Sequence, residues 1–419
     1  MADKDWEKAL HQETRAIGTG YDPASALGAA KPPVYATSTF VYRSAEQARA
    51  IHQAFFDGTS SGPDSEGFIY ARLGHPNLVM VEDRLAALDQ AESAAVFNSG
   101  MAAASTTALS FLRPGDSLVF SQPIYGGVDN LIERLGDQFG VHAVGLSDGT
   151  DEAVIRDAVA QAARLGPLRL IMLESPANPT AAITDIALVR RIVEDHATGP
   201  DRPLILVDNT FLGPFQQTPL ALGADLCLTS LTKYCAGHSD MLAGGISGRA
   251  DLIAAIKRTR LLTGSYLQPE QCVLLLRSFE TLALRTERST ANATAVANWL
   301  SHHPKIESLT FAGLLPEGSP ARLAFERQAS GPGSTFSVRL KGGQDAAFAV
   351  LNAVRVMRLA VSLGGTETLI CHPATTTHYS VPAERRQAAG ITDGTLRVSV
   401  GLEHVDDLIA DFDQALENA

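Results

Sequence analysis

From residue 78 to residue 230 the chain alternates short apolar runs with longer amphipathic stretches, and no other feature restricts its fold as much. The runs AAVF (94–97), LVF (118–120), HAVGL (142–146), LRLIMLE (168–174), LILVD (204–208) and LCLTS (226–230) read as strands. Helical periodicity covers Leu78–Leu88, the stretch from Ser99 through Leu112, Asp129–Phe139, Asp151–Leu165 and Ile186–His196. Fully apolar strands that return through helices indicate a mainly parallel sheet covered on both faces. Ligands in such sheets gather beyond the carboxyl ends of the strands.

The flanks read differently. Residues 1–65 are irregular: a short helical pattern (Asp5 to Ala16) leads into KPPVYATSTF, a possible helix and the stretch FDGTSSGPDSEG. With little core of its own, this part is expected to be an arm laid over a neighbouring subunit. A long helical pattern runs from Gln271 to Leu300, and beyond it TFSVRL, AVSL and TLRVSV read as strands, with helices at Gln344–Val354 and His404–Leu416. The expected division is an arm at 1–65, an α/β domain at 66–280 and a smaller α+β domain at 281–419.

The net charge of −12 argues against nucleic acid or an anionic membrane as partner, since both require clustered Lys and Arg. It leaves room for an anionic small ligand held by a few donors. Cys227, Cys235, Cys272 and Cys371 form no C-x-x-C and no zinc spacing, so no metal is expected, and free buried thiols in a reducing compartment are. The start of the chain is charged and lacks an apolar signal core, and no apolar run reaches the ~20 residues of a membrane span. A cytoplasmic protein is expected.

Four strand ends carry chemistry. Asn98-Ser99-Gly100-Met101 forms a strand-to-helix turn whose N–H groups and helix dipole suit a phosphate, although Ser99 also serves as an ordinary helix cap. Asp208 ends LILVD, where a carboxylate needs a partner, either a protonated ring nitrogen or a helix N-terminus. Lys233 follows LCLTS between Thr232 and Tyr234. Desolvation there would lower its pKa and make it a nucleophile fit for Schiff-base chemistry, against the ordinary alternative of a snorkelling surface lysine. Asn178 stands between two prolines in ESPANP, either facing the same crevice or simply forming a turn.

Other motifs fail on a required piece. Ser230-Leu-Thr-Lys233 matches S-x-x-K, but S-D-N and K-T-G are absent. Gly237-His-Ser-Asp-Met241 lacks the second glycine of a nucleophile elbow, and no G-x-G-x-x-G follows a strand.

SGMAA (99–103), YGG (125–127), ESPANPT (174–180), SLTKYCAGHSD (230–240), SLGGTETLICHPATTTH (362–378) and RVSVGLE (397–403) together resemble the Cys/Met-metabolism (trans-sulfuration) family of pyridoxal 5′-phosphate (PLP) enzymes, from about residue 15 to 415. The resemblance implies an aminotransferase-like, type I PLP fold. That is an α/β architecture with a large, mainly parallel, seven-stranded-type sheet domain and a smaller C-terminal α+β domain. It implies that Lys233 carries PLP as a Schiff base. Gly100 and Met101 would donate N–H groups to the phosphate, with hydroxyls from Ser230 and Thr232. Tyr70 and Arg72 would reach the phosphate of a neighbouring subunit, in a homotetramer of dimers that share sites. Tyr125 would stack on the ring and move protons near the leaving group. Asp208 would pair with the ring nitrogen, Asn178 with the ring hydroxyl, and Arg397 with Ser362 would hold the substrate carboxylate.

Within the family the choice turns on departures. Val361 precedes Ser362 where cystathionine-handling members usually carry Glu, which resembles methionine γ-lyase. Against it, Gly127 stands where methionine γ-lyases often have Cys, and His75 where Asn is common. The expected activity is γ-elimination on a sulfur amino acid, giving 2-oxobutanoate, ammonia and a thiol. The alternative is γ-replacement on an O-acylhomoserine, of the cystathionine γ-synthase or O-acylhomoserine sulfhydrylase type, and a non-catalytic PLP-binding protein is the reading from another class.

Overall fold

The computed structural model describes residues 9–57, 67–197, 199 and 202–419. Six of the seven strands in its larger sheet are β1 (Ser93–Phe97), β2 (Ser117–Ser121), β3 (His142–Leu146), β4 (Leu168–Glu174), β5 (Leu204–Asp208) and β6 (Leu226–Thr229). These are the apolar runs of the sequence. The seventh, β7 (Gly244–Gly248), lies between β1 and β6 and is antiparallel to both. The order is β1-β7-β6-β5-β4-β2-β3, and the pairings from β6 to β3 are all parallel.

Strand β7 is not predicted by periodicity, because GGISG offers almost no side chain to read. Its glycines serve close approach. A Cβ on Gly245 would fall 2.4 Å from Leu85 Cδ2, and one on Gly248 would fall 2.5 Å from the Asp225 carbonyl. Strand alternation sorts the core onto two faces. Leu118 and Phe120 of β2 pack with helices Gly100–Phe111, Gly126–Phe139 and Ala250–Thr263. Val119, between them, packs with helices Glu152–Leu165 and Ile186–His196 on the other face. Each such buried aliphatic side chain contributes about 1.5–3 kcal/mol.

The smaller sheet contains β8 (Ile306–Thr310), β9 (Thr335–Leu340), β10 (Arg358–Leu359), β11 (Leu369–Cys371) and β12 (Thr395–Ser399), in the order β10-β11-β12-β9-β8. Phe336, Val338, Leu396 and Val398 pack against helices Leu282–Ser301, Gly343–Ala353 and Val405–Leu416.

Three expectations need correction. The long helix is two, Pro269–Phe279 and Leu282–Ser301. At the break, the Arg285 guanidinium takes the Ser278 carbonyl (2.7 Å) and its Nε donates to Thr281 Oγ1 (3.1 Å), so side-chain bonds replace the helical ladder. AVSL is not a strand: pairing ends at Leu359, and Ser362 adopts φ 117°, which a strand does not allow. The first described helix is Gln12–Gly18 rather than Asp5–Ala16, of which residues 5–8 lie outside the described residues. Gln12 bonds the carbonyls of Leu88 and Pro214, tying that helix to its own chain. Residues 58–66, most of FDGTSSGPDSEG, also lie outside the described residues. All four cysteines are buried and unpaired. Among the described residues no helix is long and apolar enough to cross a membrane, and no cluster of His, Cys, Asp and Glu is suited to a metal ion.

Candidate active site

Strands β4, β5 and β6 end side by side, and the polar residues at those ends form one connected set. Lys233 sits in the turn after β6, and its Nζ donates to Ser362 Oγ at 2.8 Å. Burial, with Arg397 adding to it, pulls the Lys233 pKa down to about 8. Arg397 extends from the middle of β12 and is buried, donating from Nη2 to the Ser362 carbonyl (2.6 Å) and from Nη1 to Asn178 Oδ1 (3.2 Å). Its Nε has no acceptor among the described residues. Lys233, Ser362, Arg397 and Asn178 thus share one hydrogen-bonded chain. A left-handed φ of 117° at Ser362 is costly for a non-glycine residue, and it turns the side-chain and backbone oxygens of Ser362 toward two different cations.

Two carboxylates lie behind this chain. Asp208 Oδ1 accepts from the Thr210 N–H (2.9 Å) and hydroxyl (2.6 Å), and Thr210 Oγ1 in turn accepts from the Ser230 N–H at 2.8 Å. Burial pushes the Asp208 pKa up to about 6 against the pull of those two bonds. Its neighbour in strand register is Glu174, which accepts the N–H groups of Tyr125 (2.6 Å) and Asn178 (2.8 Å). Burial first and Asp208 second hold the Glu174 carboxyl well above the ordinary carboxylate range. Glu174 was not singled out from the sequence, although a charge closing the apolar run LRLIMLE was the available signal.

The turn after β1 opens helix Gly100–Phe111, and the Ser99 hydroxyl accepts the Ala102 N–H at 3.0 Å. This cap leaves the N–H groups of Gly100 and Met101 without acceptors among the described residues, as expected for a first helical turn. Ser230 stands directly over Gly100: a Cβ there would lie 2.9 Å from Ser230 Oγ. Thr232 is engaged elsewhere, its hydroxyl both donating to and accepting from the backbone of Ala243 at 3.0 and 2.9 Å. Tyr125 precedes helix Gly126–Phe139 and leans over Gly127, where a Cβ would meet its Cε1 at 2.6 Å and Met101 Sδ at 3.1 Å. Tyr70 and Arg72 are exposed and hydrogen-bond to none of these residues; Arg72 Nη1 donates instead to the Leu261 carbonyl at 2.8 Å.

His378 is a further residue that sequence reasoning passed over, at the end of the quoted ATTTH run. It is buried, with Nδ1 paired to Thr377 Oγ1 at 2.9 Å. Burial, then Arg397 and Arg386, drive its pKa down to about 4.

The donor set fits PLP. Unclaimed N–H groups and a serine hydroxyl at a helix N-terminus suit a phosphate, a buried carboxylate suits a protonated ring nitrogen, and a desolvated lysine suits a carbonyl carbon. The family model for "Cys/Met metabolism PLP-dependent enzyme" matches residues 13–417. An L-methionine gamma-lyase of Fusobacterium nucleatum subsp. nucleatum is 38% identical over 92% of this chain and 93% of its own. A cystathionine gamma-synthase of Mycobacterium bovis is 36% identical, covering 96% of each. The solved structure of cystathionine gamma synthase from Xanthomonas oryzae pv. oryzae in complex with cystathionine superposes with a TM-score of 0.86, at 33% identity over 98% of both chains.

Proposed function

The chain belongs to the Cys/Met-metabolism family of PLP-dependent enzymes, and on that footing we propose that it catalyses γ-elimination on a sulfur amino acid, releasing a thiol, 2-oxobutanoate and ammonia, as a methionine γ-lyase does. The observation that carries the site is Lys233, held 2.8 Å from Ser362 Oγ and linked through Ser362 to a buried arginine.

Gly100, Met101 and Ser230 would hold the phosphate of PLP, Asp208 its ring nitrogen, Asn178 its ring hydroxyl and Lys233 its carbonyl carbon. Thr232 would join them once its hydroxyl turns from Ala243. PLP supplies an electron sink for charge that develops at the substrate Cα. Arg397 binds the substrate α-carboxylate and fixes which bond at Cα faces Lys233. Burial and Arg397 bring the Lys233 amine down to a pKa of about 8, which suits it to take a proton from the substrate Cα and to pass one on. Tyr125 hydrogen-bonds the departing sulfur and protonates it, since a thiol leaves more readily than a thiolate. The uncharged, half-exposed Val361 beside Ser362 suits an apolar distal group such as a thioether methyl. Gly127, standing where methionine γ-lyases often have Cys, favours a second reading, γ-replacement on an O-acylhomoserine.

We further propose a homotetramer of dimers, in which the exposed Tyr70 and Arg72 complete the phosphate site of a neighbouring subunit. The arm, α/β and α+β parts at 1–65, 66–280 and 281–419 are its working divisions. Four unpaired thiols fit a reducing cytoplasm.

A product assay on PLP-loaded protein tests the reading, with L-methionine in one sample and O-acetylhomoserine plus a thiol in another. Methanethiol and 2-oxobutanoate from methionine are expected. A thioether from the second sample with methionine inert would overturn the elimination reading in favour of replacement.

A further inference from the structure

One short segment, Leu261–Leu267, accepts hydrogen bonds from two separate loops. It links helix Ala250–Thr263 to helix Pro269–Phe279. The Leu261 carbonyl accepts from Arg72 Nη1 at 2.8 Å, the Ser265 carbonyl from the Asn98 N–H at 3.2 Å, and the Leu267 carbonyl from His75 Nε2 at 2.9 Å. Arg72 and His75 belong to one loop, whereas Asn98 begins the turn that presents the Gly100 and Met101 N–H groups. His75 is fully buried, and its ring meets Tyr266 of the same segment edge-on, with centroids 6.5 Å apart.

Both nitrogens of His75 are committed. Nδ1 accepts the Leu78 N–H at 3.2 Å and so caps helix Pro76–Leu88. A donor facing Nδ1 and a carbonyl facing Nε2 permit a single form of the ring, neutral with its hydrogen on Nε2. Burial favours that neutral form, opposed by the Leu267 carbonyl and Glu82, with Arg260 on the side of burial and Glu270 against it.

We propose that His75 is a positioning residue for PLP: it fixes segment Leu261–Leu267, and through that segment the Asn98–Met101 turn that receives the phosphate. This rests on reading that turn as the phosphate site. His75 hydrogen-bonds to no residue of the Lys233 set and acts only through the segment.

Two substitutions separate its two duties. In His75→Asn the side-chain oxygen still caps Leu78, but the amide is too short to reach Leu267. In His75→Gln the amide nitrogen reaches the place of Nε2, and the cap is lost. PLP titrated into the apo-protein and followed by absorbance gives the dissociation constant. His75→Asn should raise Kd about tenfold, as expected for one lost buried hydrogen bond. His75→Gln should stay within about twofold of the wild type.

Hydrogen exchange gives a readout that needs no cofactor. In apo His75→Asn the peptide carrying Asn98–Met101 should exchange faster, with helix Leu282–Ser301 unchanged. Wild-type Kd in His75→Asn, equal losses of affinity in the two variants, or unchanged exchange at Asn98–Met101 would each overturn the inference. If the wild type binds no PLP while His75→Asn still speeds exchange at Asn98–Met101, the cofactor reading falls, and the clamp loses that purpose but not its existence.

Discussion

At Lys233 and Glu174 the surroundings run against what the residue types prefer. Lys233 is desolvated and faces Arg397 rather than a carboxylate, so its amine is available near neutral pH. Lys233→Ala should abolish turnover and the absorbance of enzyme-bound PLP, and Lys233→Arg should do the same, because a guanidinium does not deprotonate in this range. Retained activity in either variant would refute the assignment. Glu174 spans two backbone N–H donors, those of Tyr125 and Asn178, with its two oxygens. An amide can accept from only one of them and turns its own N–H toward the other. Glu174→Gln should therefore cost about 1–3 kcal/mol of unfolding free energy, read by denaturant titration. Lys233 and Asp208 could be read from the sequence because each stands where its type is out of place, at the end of an apolar run, whereas Arg397 was reached through the family resemblance. Ser362 came from the resemblance, and its left-handed backbone is something residue type does not reveal. Glu174 carries the same signal as Asp208, a charge closing an apolar run, and was passed over.

Among the elements, the parallel strands were legible and the exceptions to them were not. β2 to β6 announce themselves as apolar runs because both of their faces are buried. β7 is placed by its glycines, whose value lies in what they leave out. The break between helices Pro269–Phe279 and Leu282–Ser301 is hidden for a different reason: Glu280 and Thr281 are both compatible with a helix. What stops the helix is Arg285, which also donates to the carbonyls of Tyr234 (2.6 Å) and Cys235 (3.2 Å), directly after Lys233. The break and the Lys233 turn are therefore held by one half-buried guanidinium. Arg285→Ala should lower stability by about 2–4 kcal/mol, since several carbonyls lose a charged donor at once. It should also lower PLP affinity, measured by absorbance titration. A stability loss with unaltered PLP affinity would confine Arg285 to the helix break.

Over the whole molecule, pH acts through buried groups with opposite signs. The carboxyl of Asp89, in the core between helix Pro76–Leu88 and β7, accepts the Ser247 hydroxyl at 2.6 Å, and its Oδ1 has no partner among the described residues; burial pushes its pKa up to about 7. The unfolded chain releases that proton near pH 4, so this group costs the fold progressively more as pH rises from about 4 to 7, up to about 4 kcal/mol. His378 works the other way. Its folded pKa of about 4 lies below the unfolded value, so stability is full above about pH 6.5 and is lost as pH falls toward 4. Asp89→Asn mimics the protonated acid. It should raise Tm by several degrees at pH 8 and change it little at pH 5, as followed by circular dichroism. An equal shift at both pH values would exclude Asp89 as the titrating group. The place of β7 bears also on how the protein is made. Among the described residues β1 is an edge strand paired with β7 alone, and a Cβ on Gly244 would lie 2.2 Å from the Ser99 carbonyl. A polypeptide leaving the ribosome has therefore produced both the Ser99–Gly100 turn and Lys233 before the strand that joins them exists. The nascent chain carries an unpaired β1 edge until residue 248 emerges.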